Sequence, residues 1–111
     1  MPYRRGDVVL VPFPFAEREA RKTRPAVVVN RETYEATTGS LIVAMVTSRD
    51  RGTRFDVHLA GWESARLLHD SWVRAKLATL SAGSIRFSPG RITPDDLEQV
   101  DRLLRDTVEL G

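Results

Sequence analysis

Two polar groups far apart in the chain offer a joint chemistry: the guanidinium of Arg24 and the hydroxyl of Thr47. Arg24 precedes Pro25, which restricts it to β or polyproline geometry, so its side chain leaves an extended backbone in one direction. A guanidinium held in this way makes bidentate bonds to phosphate, which an ammonium cannot. The run Pro25-Ala26-Val27-Val28-Val29 that follows is small and β-branched, the composition of a short strand buried on both faces. Leu41-Ile42-Val43-Ala44-Met45-Val46 is a second buried strand and ends on Thr47-Ser48. If these two strands pair antiparallel across the polar reversal between them, Arg24 and Thr47 lie equally far from its midpoint. They then become cross-strand neighbours with Cβ atoms on the order of 5 Å apart, and a guanidinium and a hydroxyl converge on one anion at the rim of a sheet. The structural alternatives are an ion pair of Arg24 with Asp7 or Asp70, and plain turn capping by Thr47 and Ser48.

The remaining segments must position this pair. Val8-Val9-Leu10-Val11 reads as the first strand after an Arg5-Gly6-Asp7 turn, and Pro12 and Pro14 force its end to an edge or out of the sheet. Residues 16–23 form a charged loop that delivers the chain to Arg24, and residues 31–40 are a polar reversal with a helical turn around Tyr34. Alternation from Arg54 to Leu59 puts Phe55, Val57 and Leu59 on the core face and Asp56 and His58 on the other. A fifth strand covers residues 70–76, and short β or 3₁₀ pieces fill 77–92. Thr93-Pro94-Asp95-Asp96 is a helix start, with a hydroxyl N-cap, proline at N1 and acids facing the positive end of the dipole. Leu97, Val100, Leu103, Leu104 and Val108 form its apolar stripe, with Glu98–Arg102 and Asp101–Arg105 as i,i+4 pairs. Short strands, frequent turns and one C-terminal helix predict a mainly-β (α+β) fold, a small twisted β-barrel closed on one side by the helix.

At 111 residues and 41% hydrophobic content, one domain spanning 1–111 with one modest core is expected. The absence of cysteine removes disulfides and thiolate metal sites, and two distant histidines make no metal cage, so neither metal nor cofactor is expected. No run approaches the roughly 20 apolar residues of a membrane span and no signal peptide opens the chain, so a cytoplasmic protein without a membrane partner is expected. The net charge of +2 hides an asymmetry. Residues 93–111 hold 2 of the 17 basic and 6 of the 15 acidic groups, leaving the body at +6 (15 − 9). Of the cations, only Lys22 and Lys76 are lysine, a bias that fits either phosphate binding or codon preference.

With these segments assembled, the chain resembles the MazF/PemK family of toxin endoribonucleases of type II toxin–antitoxin modules. The resemblance is carried in order by Arg5-Gly6-Asp7-Val8-Val9, by Lys22-Thr23-Arg24-Pro25-Ala26-Val27-Val28-Val29 and by Val43-Ala44-Met45-Val46-Thr47-Ser48, with weaker matches at Asp70-Ser71-Trp72-Val73 and the helix from Thr93. It implies a homodimer of SH3-like barrels of the MazF/PemK/CcdB type. It also implies metal-independent cleavage of single-stranded RNA to a 2′,3′-cyclic phosphate and a 5′-hydroxyl, inhibiting translation and growth. Neutralisation by a cognate antitoxin with an acidic, disordered tail follows from the same family. By motif, Arg24 and Thr47 stand at the two catalytic positions. The sequence departs from the family pattern in its compact, charged loop after the first strand and at Ala78, where an Arg is common before Thr79.

Cleavage of RNA by its own 2′-hydroxyl needs a proton acceptor, a proton donor and stabilisation of charge on the phosphorane. Arg24 suits the last task, and Thr47 and Ser48 can donate to the same phosphate. Ser48, Arg49, Lys22, Arg21 and Lys76 are candidates for holding the RNA, against an alternative of solubilising charge. Phe13 and Phe15 are candidate stacking platforms, or core or dimer contacts. His58 and His69 are either an acid/base pair or surface residues, and Trp62 and Trp72 belong to the core or a dimer interface. The competing functions are a non-catalytic toxin of the same fold that binds a protein such as DNA gyrase, and a nucleic-acid-binding barrel that has lost catalysis.

Overall fold

The β-branched runs form strands, as their fit to a pleated surface dictates. The computed structural model describes residues 3–12 and 23–110. Its elements are β1 (Asp7–Pro12), β2 (Thr23–Val28), α1 (Glu32–Thr38), β3 (Ser40–Thr47), β4 (Asp56–Leu59), β5 (Ser71–Ser81), β6 (Phe87–Arg91) and α2 (Pro94–Val108), with one 3₁₀ turn at Ala82–Ser84. The six strands form one antiparallel sheet in the order β4-β5-β3-β2-β1-β6.

The mainly-β, α+β class matches the sequence reading, but the sheet is not closed into a barrel, because β4 and β6 are separate edges. Helix and connection occupy the place of the missing seam. α2 packs on β4 and β5, while the connection between β4 and β5 reaches β6, where Ala65 is fully buried. A Cβ on Gly90 would stand 2.6 Å from the Ala65 carbonyl oxygen, a backbone atom that cannot rotate away. Gly90→Ala is therefore expected to lower stability by about 1–3 kcal/mol in a urea titration. Gly83→Ala, whose Cβ would meet only Ser81 Oγ at 3.7 Å, should stay within about 0.5 kcal/mol of the parent.

Alternation divides the sheet's side chains between two apolar clusters. Val8, Val27, Ala44, Val46, Leu59 and Val73 pack with Val100 and Leu103 of α2. Val9, Val11, Ala26, Val28, Leu41, Val43 and Met45 face the other way and are packed against by Tyr3, Ala82 and Ile85. The helix start is as expected, with Thr93 Oγ1 accepting from Asp96 N at 3.1 Å. Its stripe is shorter than the sequence suggests. Val100 and Leu103 are buried and Leu97 and Leu104 pack beside them, but Val108 is 52% exposed.

Several local expectations are corrected. Asp101 bonds to the Arg5 guanidinium instead of pairing with Arg105, because Arg5, tethered by its Nε to Val29 O at 3.0 Å, is already aimed at the helix. β5 runs on to Ser81 because residues 77–81 continue the ladder to β3, where the sequence offered only fragments. Phe55 lies outside β4 and is 36% exposed under the Arg54 guanidinium, 5.0 Å from its ring centroid. No helix among the described residues is long and apolar enough to cross a membrane.

Candidate functional site

The register of the sheet determines what the Arg24 and Thr47 side chains can reach. β2 and β3 pair as Ala26–Met45, Val27–Ala44 and Val28–Val43, and continuing this by two residues sets Arg24 opposite Thr47. Direct pairing links Val11 with Arg24, Thr47 with Trp72, and Trp72 with His58. Opposite residues share a face, and Arg24 and Thr47 alternate with Ala26, Val28, Val43 and Met45 of the second cluster. With the β2–β3 register continued in this way, Val11, Arg24, Thr47, Trp72 and His58 fall in one transverse row across five strands. Val11 is buried, Thr47 and Trp72 are half-buried, and Arg24 and His58 are exposed.

Thr47 does cap its turn, since its Oγ1 accepts from Arg49 N at 3.1 Å. A hydroxyl has one proton and two lone pairs, so accepting this bond leaves the proton to donate outward. Capping and anion binding are then compatible, the first orienting the group for the second. The carboxylates proposed as alternative partners of Arg24 are engaged by other groups: Asp7 Oδ1 accepts from Arg91 Nη1 at 2.6 Å, and Asp70 Oδ1 lies 2.6 Å from His58 Nε2.

The turn after Thr47 carries Ser48 and Arg49, both exposed, and is anchored from below by a pair the sequence reading did not single out. Arg74 on β5 donates its Nε and Nη2 to the two oxygens of Asp56 on β4, each at 2.9 Å. Its Nη2 also reaches Arg49 O at 2.9 Å, while Asp56 Oδ2 accepts from Arg51 N at 3.0 Å. The Arg74 bond, helped by the Arg51 N–H and opposed by burial, holds the Asp56 carboxyl below its ordinary value. The same bond raises the Arg74 guanidinium. The available signal was alternation, which puts Arg74 on the face of Trp72 and Lys76 while Asp56 points the same way from β4.

Lys76 is exposed on β5, at the irregularity where the β3–β5 ladder shifts register between Ala44 and Val46. Arg21, Lys22, Phe13 and Phe15 lie outside the described residues. His58 and His69 do not form a pair: His58 bonds to Asp70 and packs on Trp72, ring centroids 5.2 Å apart. Among the described residues no group of three His, Asp or Glu side chains is arranged to hold a metal. Two surface grooves flank the C-terminal end of α2, lined by residues such as Phe55, Arg105 and Leu110, and contain no member of the row.

A model of the PemK-like, MazF-like toxins of type II toxin–antitoxin systems matches residues 4–108. The chain belongs to this MazF/PemK toxin family. Among solved structures it is similar to MazF from Deinococcus radiodurans, at 28% identity and a TM-score of 0.80, with 99% of each chain covered. It is also similar to a MazE–MazF complex of the same organism, at 26% identity and a TM-score of 0.79 over 100% of both chains. An endoribonuclease in complex with its cognate antitoxin from a mycobacterial species shares the fold at 17% identity and a TM-score of 0.78, covering 99% of this chain and 96% of that one. No curated protein matches the chain significantly. For a MazF/PemK toxin, the β2–β3 register, whose continuation by two residues sets Arg24 opposite Thr47, is the geometry to account for.

Proposed function

We propose that this toxin is an endoribonuclease that cleaves single-stranded RNA through the RNA's own 2′-hydroxyl, without a metal. In this reaction the 2′-oxygen bonds to phosphorus as it loses its proton, the bond from phosphorus to the 5′-oxygen breaks, and the departing oxygen takes up a proton. The products are a 2′,3′-cyclic phosphate and a 5′-hydroxyl. Arg24 bridges the non-bridging oxygens as charge accumulates on the phosphorane, and Thr47 donates its hydroxyl proton to the same group. A guanidinium holds its proton too tightly to serve as an acid, so Arg24 is assigned electrostatic work only. Ser48 and Arg49 on the anchored turn hold the flanking backbone, with Lys76, Arg21, Lys22 and Phe15 assigned to RNA binding by sequence.

The observation that carries this reading is the β2–β3 register, which, continued by two residues, sets Arg24 opposite Thr47, an arrangement that a toxin that only bound a protein would not need. Family membership and endoribonucleases of the same fold support it. The cognate partner is an antitoxin, which the solved MazE–MazF complexes of relatives support; its acidic, disordered tail covers the basic body, and the toxin acts as a homodimer in the cytoplasm. The test is incubation of purified protein with single-stranded RNA in excess EDTA. Fragments ending in 2′,3′-cyclic phosphate and 5′-hydroxyl are expected from the wild type, and about 10²–10³-fold more slowly from Arg24→Ala. Activity that needs added metal, or 5′-phosphate ends, would overturn the mechanism, and equal rates from both forms would remove the Arg24 guanidinium from it.

A further inference from the structure

We infer that His58 and Trp72, with Asp70 holding the imidazole, form a nucleobase subsite for the nucleotide next to the phosphate gripped by Arg24 and Thr47. This rests on the endoribonuclease reading and adds where a base is read. His58 and Trp72 are cross-strand partners, and their rings tilt at 49° with centroids 5.2 Å apart. The imidazole is open to solvent, its side chain 48% exposed, and the indole is half-buried beneath it. Unstacked bases of single-stranded RNA seek such rings, His and Trp included, and add hydrogen bonds on their edges.

The ring is held in place. Asp70 Oδ1 accepts from His58 Nε2 at 2.6 Å, so Nε2 carries a proton and Nδ1 is the nitrogen offered to a base edge. Asp70 is a positioning residue in this arrangement. The order along the row is guanidinium, hydroxyl, indole, imidazole, which matches a phosphate followed by its neighbouring base. Trp72 lies one strand from Thr47 and His58 two, about 10 Å in total at the spacing of paired strands. The cations Arg24, Arg49 and Lys76 on the same part of the sheet and the adjoining turn favour RNA as the occupant.

The experiment reads binding and cleavage separately. In a Trp62→Phe background, where Trp72 is the only tryptophan, a short 2′-O-methyl RNA of randomised sequence, which cannot be cleaved, is titrated while fluorescence is followed. Stacking should quench Trp72. His58→Ala should weaken Kd about 10-fold, Asp70→Asn should weaken it less, and His69→Ala should leave it unchanged. In parallel, sequencing the 5′-hydroxyl ends of cleaved RNA should show that His58→Ala loses preference at one position beside the cut and raises KM more than it lowers kcat. If the wild type cleaves but His58→Ala keeps its Kd and its cleavage preference, the subsite is overturned and the endoribonuclease reading stands. If the wild type does not cleave, that reading falls, and the titration alone decides the subsite. A quench weakened by His58→Ala supports it, and no quench overturns it.

Discussion

Arg24→Ala is expected to lower kcat for RNA cleavage by about 10²–10³-fold, the usual loss when one preorganised donor to a developing oxyanion is removed. The charge on the phosphorane exists only in the transition state, so the loss falls on kcat more than on KM. Thr47→Ala should cost less, because a neutral hydroxyl makes a weaker bond to an anion than a guanidinium does. Arg24→Lys should recover only part of the rate, since it keeps the charge and loses the bidentate fork. The two groups act on one phosphate, so the double variant should lose less than the product of the single effects. Rapid-quench kinetics on a short RNA substrate would check the series. Wild-type kcat in Arg24→Ala would remove the guanidinium from the mechanism.

The strands that carry Arg24 and Thr47 and their register were legible in the sequence, because the cause is local. Pro25 holds Arg24 extended, the valine runs make strands, and a symmetric reversal sets the register, which the Ala26–Met45 to Val28–Val43 pairing reproduces. The N-cap at Thr93 was legible for the same reason. Features that depend on tertiary choice were not. Whether β4 and β6 meet depends on what fills the space between them, and Ala65 against Gly90 has no signature in local sequence. Asp101 had an acceptable partner at i+4 and took Arg5 instead, because an intrahelical pair is worth only a few tenths of a kcal/mol. The row from Val11 to His58 emerges only when four strand pairings are combined, so neither the place of Trp72 beside Thr47 nor the Asp70–His58 bond was visible beforehand.

The second large effect is expected at the ion pair beneath the Thr47 turn. The Asp56 side chain is 2% exposed and that of Arg74 14%, and removing one member of such a pair leaves the other charge buried without its counterion. Asp56→Ala should therefore destabilise the fold by on the order of 3 kcal/mol, which lowers Tm by on the order of 10 °C for a chain of this size. It also leaves Arg51 N without its acceptor and Arg74 free to release Arg49 O. Hydrogen exchange at Arg51 should accelerate beyond what the global loss of stability explains. Asp56→Asn keeps an oxygen for Arg51 N and should cost less. The sign of the pH dependence follows from the lowered Asp56 pKa. A carboxyl more acidic in the folded than in the unfolded chain contributes its full stability above the unfolded value. That contribution is lost as pH falls through the folded one. The wild type should thus lose stability across this acid window more steeply than Asp56→Asn, in which position 56 no longer titrates. Parallel acid profiles for the two proteins in urea would show that the pair contributes nothing to the pH dependence, and unchanged exchange at Arg51 in Asp56→Ala would show that it does not hold the turn.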